Sequence, residues 1–342
     1  MEFNLRQRGR ASIDFAADLT AFSAQLQMSV GHRIADVELP DDFDAQLETM
    51  ATKLKGDSQH YFGQAIGQWS GDQHGVITHD AFKEIQGELE PHFERLRQGG
   101  TQIEIRADFQ PPDYWEGVDF HRTTGGWVRE HQGFVHGELI HPKYVAKNFP
   151  GGIFKQRREV LNELGDAQFE NILEMGTSSG HFTIALAEAY PDAHLTGIDP
   201  GLPMLEQAQR FGNERGLSWR LIQANAENTG LDDNSFDLVT SYILLHELPA
   251  AATREIFSEA LRVLQPGGTM MMSDVAPFRA MPKLAQWRTN AGAQRGGEPY
   301  WREAASLDLA ALALDVGFED AKSYGLGERQ YPWVTIARKP SA

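Results

Sequence analysis

Apolar residues recur three and four positions apart through the first hundred residues, and after residue 170 they gather instead into short unbroken runs. The first rhythm is that of helices with one buried face, the second that of parallel strands covered on both sides. Segments 12–22 and 80–90 carry the helical spacing, so residues from about 11 to 98 read mainly as helices joined by short loops, with no internal repeat or low-complexity tract. From Gly99 the texture turns to glycine, proline and aromatic side chains. There 101–105 reads as extended chain, and 111–115, which opens on two prolines, as a turn or irregular connector. Helix resumes over 155–164 and leads into the first apolar run. A last helix is expected over 307–316, followed by a β-hairpin made of 318–324 and 333–337. The pattern predicts an α/β protein in two parts: a mainly helical lobe over 1–150 and a domain with a largely parallel sheet over 151–342.

Candidate chemistry enters at Asn171-Ile-Leu-Glu-Met-Gly-Thr-Ser-Ser-Gly-His181 and at Leu195-Thr-Gly-Ile-Asp199. Ile172 and Leu173 form the apolar end of a strand, and Gly176 and Gly180 flank a tight turn before a helix over 182–190. Glycines at such a turn let backbone approach a ligand closely. Asp199 follows Glu174 by 25 residues, at the tip of the next strand, where a carboxylate can accept hydrogen bonds from both hydroxyls of a ribose. The two runs read as a site for an adenosine-bearing cofactor.

Glu174-x-Gly176-x-Ser178-x-Gly180 resembles motif I of class I S-adenosylmethionine-dependent methyltransferases of the small-molecule type, with an acid ahead of three alternating glycines. Dinucleotide-binding domains carry Gly-x-Gly-x-x-Gly and set a pyrophosphate on the helix N-terminus. The acid at Glu174 suits the ammonium and sulfonium charges of S-adenosylmethionine and would oppose a pyrophosphate. Ser178 replaces the middle glycine, so either its φ is negative or the turn is remodelled, and its hydroxyl is placed to bond the cofactor carboxylate.

Further likenesses follow in the family's order. Asp199-Pro200 and Met204 resemble motif II, in which the acid takes the ribose and the apolar residue packs near the adenine. Asn225-Ala226-Glu227 resembles the run that contacts the adenine amino group, with Asn225 in place of the usual Asp. Segment 234–246, with Tyr242, resembles the fourth strand and its exit, and 259–268 the helix and turn before strand five. The resemblance covers about half of the chain. It implies a seven-stranded, mostly parallel, doubly wound sheet that binds S-adenosylmethionine and releases S-adenosylhomocysteine, with Glu174, Gly176, Thr177, Ser178, Gly180 and the motif residues just named around the cofactor. It also implies that the exit of the fourth strand lies beside the methyl group, which makes His246 and Glu247 the catalytic candidates. Glu247 is alternatively a cap for the helix that starts near Pro249.

Charge narrows the partners. With 31 basic and 48 acidic residues the net charge is −17, which argues against nucleic acid and against acidic membrane surfaces. The absence of cysteine excludes disulfides, thiolate nucleophiles and cysteine-held metal. No apolar run approaches a transmembrane length, and a cytoplasmic protein is the expectation.

Four of the twelve histidines fall within 119–141. A metal site made of His131, His136 and His141 with Glu138 is disfavoured, because five-residue intervals do not share a helical face and the intervening glycines suggest loop. No metal is expected. A second reading makes this stretch a substrate-facing lid, with His121, Arg122, Trp127, Arg129, His131 and His136 toward a small acceptor. The plainer reading has most of the four histidines bracing the junction between lobes. Trp287, Arg288, Tyr300 and Trp301 are candidates for another wall, although aromatics at such spacing commonly serve packing.

Three functions remain open on the sequence. The leading one is methyl transfer to a small molecule by in-line displacement at an oxygen, nitrogen, sulfur or carbon nucleophile, with a helical lobe that covers the acceptor and also forms a homodimer. The others are non-methylating chemistry on the same cofactor, and a protein methyltransferase whose first 150 residues bind a partner.

Overall fold

The computed structural model describes residues 3–146 and 151–341. The helical rhythm of the first hundred residues becomes α1 (Gln7–Arg33), α2 (Phe43–Lys53), α3 (Ser58–Lys83) and α4 (Gln86–Leu96). Asp42 and Asp57 start α2 and α3 by accepting the Ala45 and His60 backbone N–H groups at 2.8 and 2.9 Å, satisfying donors that a helix start leaves free. The helix expected over 80–90 is broken at Ile85, which leaves the helical region at φ −124°. Phe82, Ile85, Leu89 and Phe93 nonetheless bury into one cluster. The apolar spacing therefore runs across the break, and the sequence reads as a single helix.

Helices α1 and α3 pack closely and antiparallel. Ser23 Oγ donates to the Gly63 carbonyl at 2.8 Å and Gln27 Nε2 to the His60 carbonyl at 3.0 Å. Gly63, Gly67, Gly71 and Gly75 form a row four residues apart on α3. A Cβ at Gly63 or Gly67 would come within 2.7 Å of Gln27 or Ser23 on α1, one at Gly71 would overlap the Arg122 guanidinium, and one at Gly75 would press on Thr123. The row receives α1 on one half and the 120s segment on the other.

The α/β part holds β2 (Asn171–Met175), β3 (His194–Asp199), β4 (Arg220–Gln223), β5 (Phe236–Tyr242), β6 (Leu264–Asp274), β7 (Glu319–Gly325) and β8 (Trp333–Arg338). These are the seven strands implied by the resemblance. An eighth, β1 (Gln102–Glu104), comes from the stretch read as extended and pairs in parallel with β4, giving the order β1-β4-β3-β2-β5-β6-β8-β7. Pairing is parallel from β1 through β6 and antiparallel for β8 with β6 and with β7, so the closing hairpin forms as expected. The turn expected at the end of 259–268 is absorbed into the start of β6, with a register shift between Phe236 and Leu238. Helices α6 (Gly152–Asn162), α7 (His181–Ala189) and α8 (Leu202–Glu214) cover one face; α9 (Ala250–Val263) covers the other. Helices α10 (Lys283–Gly296), α11 (Trp301–Ala304) and α12 (Leu309–Val316) follow β6.

Between the two parts, the chain makes short 3-10 turns at Asp113–Trp115, Phe120–Arg122 and Gly126–Val128. One turn of helix, α5 (Gln132–Phe134), then runs into a π-helix over Val135–Val145. This overturns the reading of the glycine-containing stretch as loop. Residues five apart diverge by about 140° in an α-helix but by much less on the wider π turn, and the His136 and His141 ring centroids lie 4.4 Å apart. The glycines mark close approach. A Cβ on Gly133 would overlap the Pro203 carbonyl on α8, and one on Gly137 would stand 3.2 Å from His181 and Ser179. Among the described residues no helix is long and apolar enough to cross a membrane.

Candidate active site

A cavity of about 580 Å³ opens at the carboxyl ends of β2, β3 and β5, where parallel sheets bind ligands. Its sheet-side wall holds Glu174, Gly176, Thr177, Ser178, Asp199, Pro200, Met204, Ala226, Glu227, Tyr242, His246 and Glu247. The facing wall is made of Thr20, Ser70 and His74 from α1 and α3, Trp115, His121, Arg122 and Trp127 from the turns, and His136, His141 and Tyr144 from the π-helix.

The turn after β2 is shaped by left-handed residues: Gly176 at φ 76°, Ser178 at φ 51° and Gly180 at φ 86°. Ser178 thus has neither the negative φ nor the remodelled turn expected of a serine; it adopts the glycine conformation at a cost of about 1 kcal/mol. Asp199 offsets that cost, because its Oδ2 accepts the Ser178 N–H at 2.8 Å while Oδ1 accepts the Gly201 N–H at 2.8 Å. Each oxygen keeps lone-pair capacity for a further donor. Gly180 lies behind the wall, where a Cβ would stand 2.9 Å from Ala208.

Both acids are buried. Burial pushes the Asp199 carboxyl up to about 7 and the Glu174 carboxyl up to about 8. Glu174 accepts a hydrogen bond from Thr183 Oγ1 at 2.5 Å, which opposes the rise. Among the described residues neither acid has a basic side chain at ion-pair distance, so this wall favours a ligand that brings positive charge.

Opposite lies a network of charged histidines. Glu247 accepts hydrogen bonds from His121 Nε2 at 3.1 Å and from Trp127 Nε1 at 2.8 Å, and His121 Nδ1 also pairs with Glu298. Glu247 therefore ties the 120s segment to the exit of β5. The cap role is not taken up: Pro249 starts α9 without a side-chain cap. Burial works against the charge of His121, but Glu298 and Glu247 overcome it and lift its pKa to about 10. His246 is buried, bonds Asp274 Oδ1 through Nδ1 at 3.0 Å and packs against the Trp301 ring at 5.0 Å. Burial again opposes its charge, but Asp274 prevails and raises the pKa to about 9. His136 differs: burial lowers it to about 3, and it packs edge-on against Trp127 at 4.9 Å. His141 and His181, 4.6 Å apart, are held well below the ordinary value by burial.

Several sequence-predicted residues lie off the cavity wall. Asn225 donates to the Gln110 carbonyl at 3.1 Å. Arg129 reaches the Thr124 carbonyl, and His131 packs between the Phe82 and Phe93 rings at 4.8 and 6.1 Å. Trp287 is buried among Val30, Ile34 and Met50, and Arg288 packs on Gly31. Tyr300 donates to the Tyr114 carbonyl at 2.7 Å, and Tyr114 in turn donates to Glu227 at 2.6 Å. Tyr300 therefore braces a wall it does not line. Among the described residues, no three acidic or histidine side chains converge as a metal site.

Sequence reading missed Asp274, Glu298 and Arg157. Asp274 carried a visible signal, since it closes a buried apolar strand with an acid, as Asp199 does on β3. Arg157 sits on the buried face of α6 with Ile153, Val160 and Leu161, an arginine out of place in an apolar stripe. Glu298 gave no local sign.

Residues 172–268 match the family model described as a methyltransferase domain. This segment is similar to a methyltransferase domain, and it carries the parallel strands β2 to β5 and the start of β6. Among curated relatives, the chain is 32% identical over 121 residues to a ubiquinone/menaquinone biosynthesis C-methyltransferase UbiE of Desulfotalea psychrophila, across 35% of this chain and 48% of the relative. It is 30% identical to a demethylmenaquinone methyltransferase of Thermus thermophilus, across 37% and 57%. The chain spans about half the length of these relatives. A solved phosphoethanolamine N-methyltransferase 2 of Haemonchus contortus, in complex with S-adenosyl-L-methionine, aligns over 69% of this chain and 61% of that one, with 16% identity and a TM-score of 0.48.

Proposed function

We propose that the protein transfers a methyl group from S-adenosylmethionine to a small-molecule acceptor bound between the sheet and the mainly helical cap formed by residues 3–146 other than β1, which joins the sheet. The observation that carries this reading is the pair of buried carboxylates, Glu174 and Asp199, around a left-handed turn on one wall of the cavity. The residues fit the cofactor's donor set. Asp199 has acceptor capacity for the ribose hydroxyls, Glu174 faces the positive amino-acid end, and Met204 and Ala226 offer an apolar wall to the base. When bound, S-adenosylmethionine supplies an electrophilic methyl group next to the acceptor space.

The chain's own contribution is to orient the acceptor and exclude water. His121, Arg122, Trp127 and His136 form the facing wall; Glu247, held by two of them, keeps that wall at the exit of β5. His246 is read as a hydrogen-bond donor, since Asp274 keeps it charged at neutral pH, and a general base must be able to accept a proton. A net charge of −17 supports an acceptor other than nucleic acid. Phe15, Phe22, Tyr61, Phe62 and Trp69 stand exposed on α1 and α3, which supports a homodimer through this hairpin, because the same face on a second copy matches it. Incubating the protein with labelled S-adenosylmethionine and a panel of small amines, phenols, carboxylates and quinones tests the reading. Product formation with one equivalent of S-adenosylhomocysteine supports it, and binding of nicotinamide dinucleotide in place of S-adenosylmethionine defeats it.

A further inference from the structure

On the sheet-side wall, His246 is held charged by Asp274 and has no lone pair to offer an acceptor's proton. The cap supplies one. Gly67, Ser70, Gly71 and His74 of α3 all line the cavity, and their spacing sets them on one helical face. The two glycines bring no side chain to this face. Ser70 Oγ is already engaged, with the Ala16 carbonyl at 3.1 Å and with Thr20 Oγ1. Of the four, His74 alone has a side chain with hydrogen-bonding capacity left over.

The backbone fixes the state of its ring. His74 Nδ1 lies 2.7 Å from the Gly71 carbonyl oxygen, which can only accept, so Nδ1 carries the proton and Nε2 the lone pair. Among the described residues Nε2 has no hydrogen-bond partner. Burial holds the pKa below the ordinary imidazole value; His121 and Arg122 act in the same direction, while the Gly71 bond and Asp72 oppose it. A neutral ring with an unused lone pair on a cavity wall is matched by a ligand that brings a hydrogen-bond donor. The neighbours narrow the choice. His121 and Arg122 disfavour an ammonium at this point. The Trp115, Trp127 and Tyr144 rings line the same cavity, which suits an aromatic body carrying a neutral hydroxyl.

We propose that His74 is the general base of the reaction, its Nε2 taking the hydroxyl proton of a phenolic acceptor as the phenol oxygen takes the methyl group. This rests on the reading of the cavity as a site of methyl transfer from S-adenosylmethionine. An oxygen lone pair forms the new O–C bond, and the S–C bond breaks with its electron pair left on sulfur. The O–H proton passes to His74, which returns it to solvent once the product has left. The Gly71 carbonyl orients the base and stabilises the imidazolium that forms. A phenolic hydroxyl, with a pKa of about 10, lies far closer to imidazole than an aliphatic alcohol does, so the proton moves against a smaller penalty.

Phenols of graded acidity test the assignment. Native protein and His74→Gln are given labelled S-adenosylmethionine with phenol, para-methylphenol or para-nitrophenol at about pH 8, where only the nitrophenol is largely ionised and needs no base. His74→Gln is expected to lower kcat for phenol and para-methylphenol by roughly 100-fold with KM within about threefold. Turnover of para-nitrophenol should stay within about threefold of native, which also shows that the variant is folded. Equal losses on all three phenols, or no loss on any, overturn the base assignment. A native protein that binds S-adenosylmethionine by calorimetric titration but methylates none of the phenols overturns the acceptor class. One that does not bind S-adenosylmethionine overturns the cofactor reading itself.

Discussion

Glu174, Gly176, Ser178 and Asp199 stand within 25 residues of one another in the chain, whereas His121, Trp127, Glu247 and Glu298 meet only because a turn, a strand exit and the end of α10 converge. The first wall of the cavity is a local device. A strand, a tight turn and a second strand bring its acids together, and each conformation depends on neighbours a few positions away. The second wall is assembled over long range, and its histidines take opposite charge states according to what reaches them: His121 and His246 are charged by acids, while His136, His141 and His181 are held neutral chiefly by burial, with neighbouring positive groups acting in the same direction. One residue type thus supplies both donors and neutral rings within a single cavity.

Substitutions can pull the two walls apart. The largest effect is expected where they are joined. Gly133→Ala would push a methyl group into the Pro203 carbonyl and should lower stability by about 3 kcal/mol, measured by denaturant unfolding. A loss below about 0.5 kcal/mol would mean that α5 and α8 can separate without cost. Next is Asp199→Ala on the local wall. Removing a carboxylate that braces the turn and, in the proposed reading, meets the cofactor should weaken S-adenosylmethionine binding by about 2 kcal/mol, near thirtyfold, as read by titration. On the facing wall, Trp127→Phe keeps the ring and deletes only the donor to Glu247. It should lower kcat/KM for the acceptor by about tenfold with cofactor affinity unchanged, and a matching loss of cofactor affinity would show that the walls do not act separately.

The smallest effect concerns pH. His246 is protonated below about 9 and loses its proton above it. With a donor role, turnover at saturating cofactor declines as pH passes about 9. A rise over the same interval would return His246 to the role of base.

Legibility in the sequence follows the same division. Motif residues, the strands and the closing hairpin could be read because each depends on local periodicity or a glycine at a turn. The partner of His246 could not, because Asp274 arrives 28 residues later on another strand. Glu247 was weighed as a helix cap since its neighbour Pro249 suggested one, while its actual partners lie some 120 residues earlier. A five-residue histidine spacing denies a common face on an α-helix but not on a π turn. Ser178 was expected to avoid the conformation it adopts, because the Asp199 carboxylate that holds it there acts through the backbone N–H and leaves no trace in the side chain's identity.

The glycine row of α3 bears on the order in which the molecule assembles. Each interior glycine weakens a helix by about 1 kcal/mol relative to alanine, so a segment with glycine at 63, 67, 71 and 75 has little helical tendency of its own. Half of the glycine row faces α1, already synthesised; the other half faces Arg122 and Thr123, which leave the ribosome some fifty residues later. The half of α3 that carries Gly71 and Gly75 therefore meets the 120s segment packed on it only after that segment has been made.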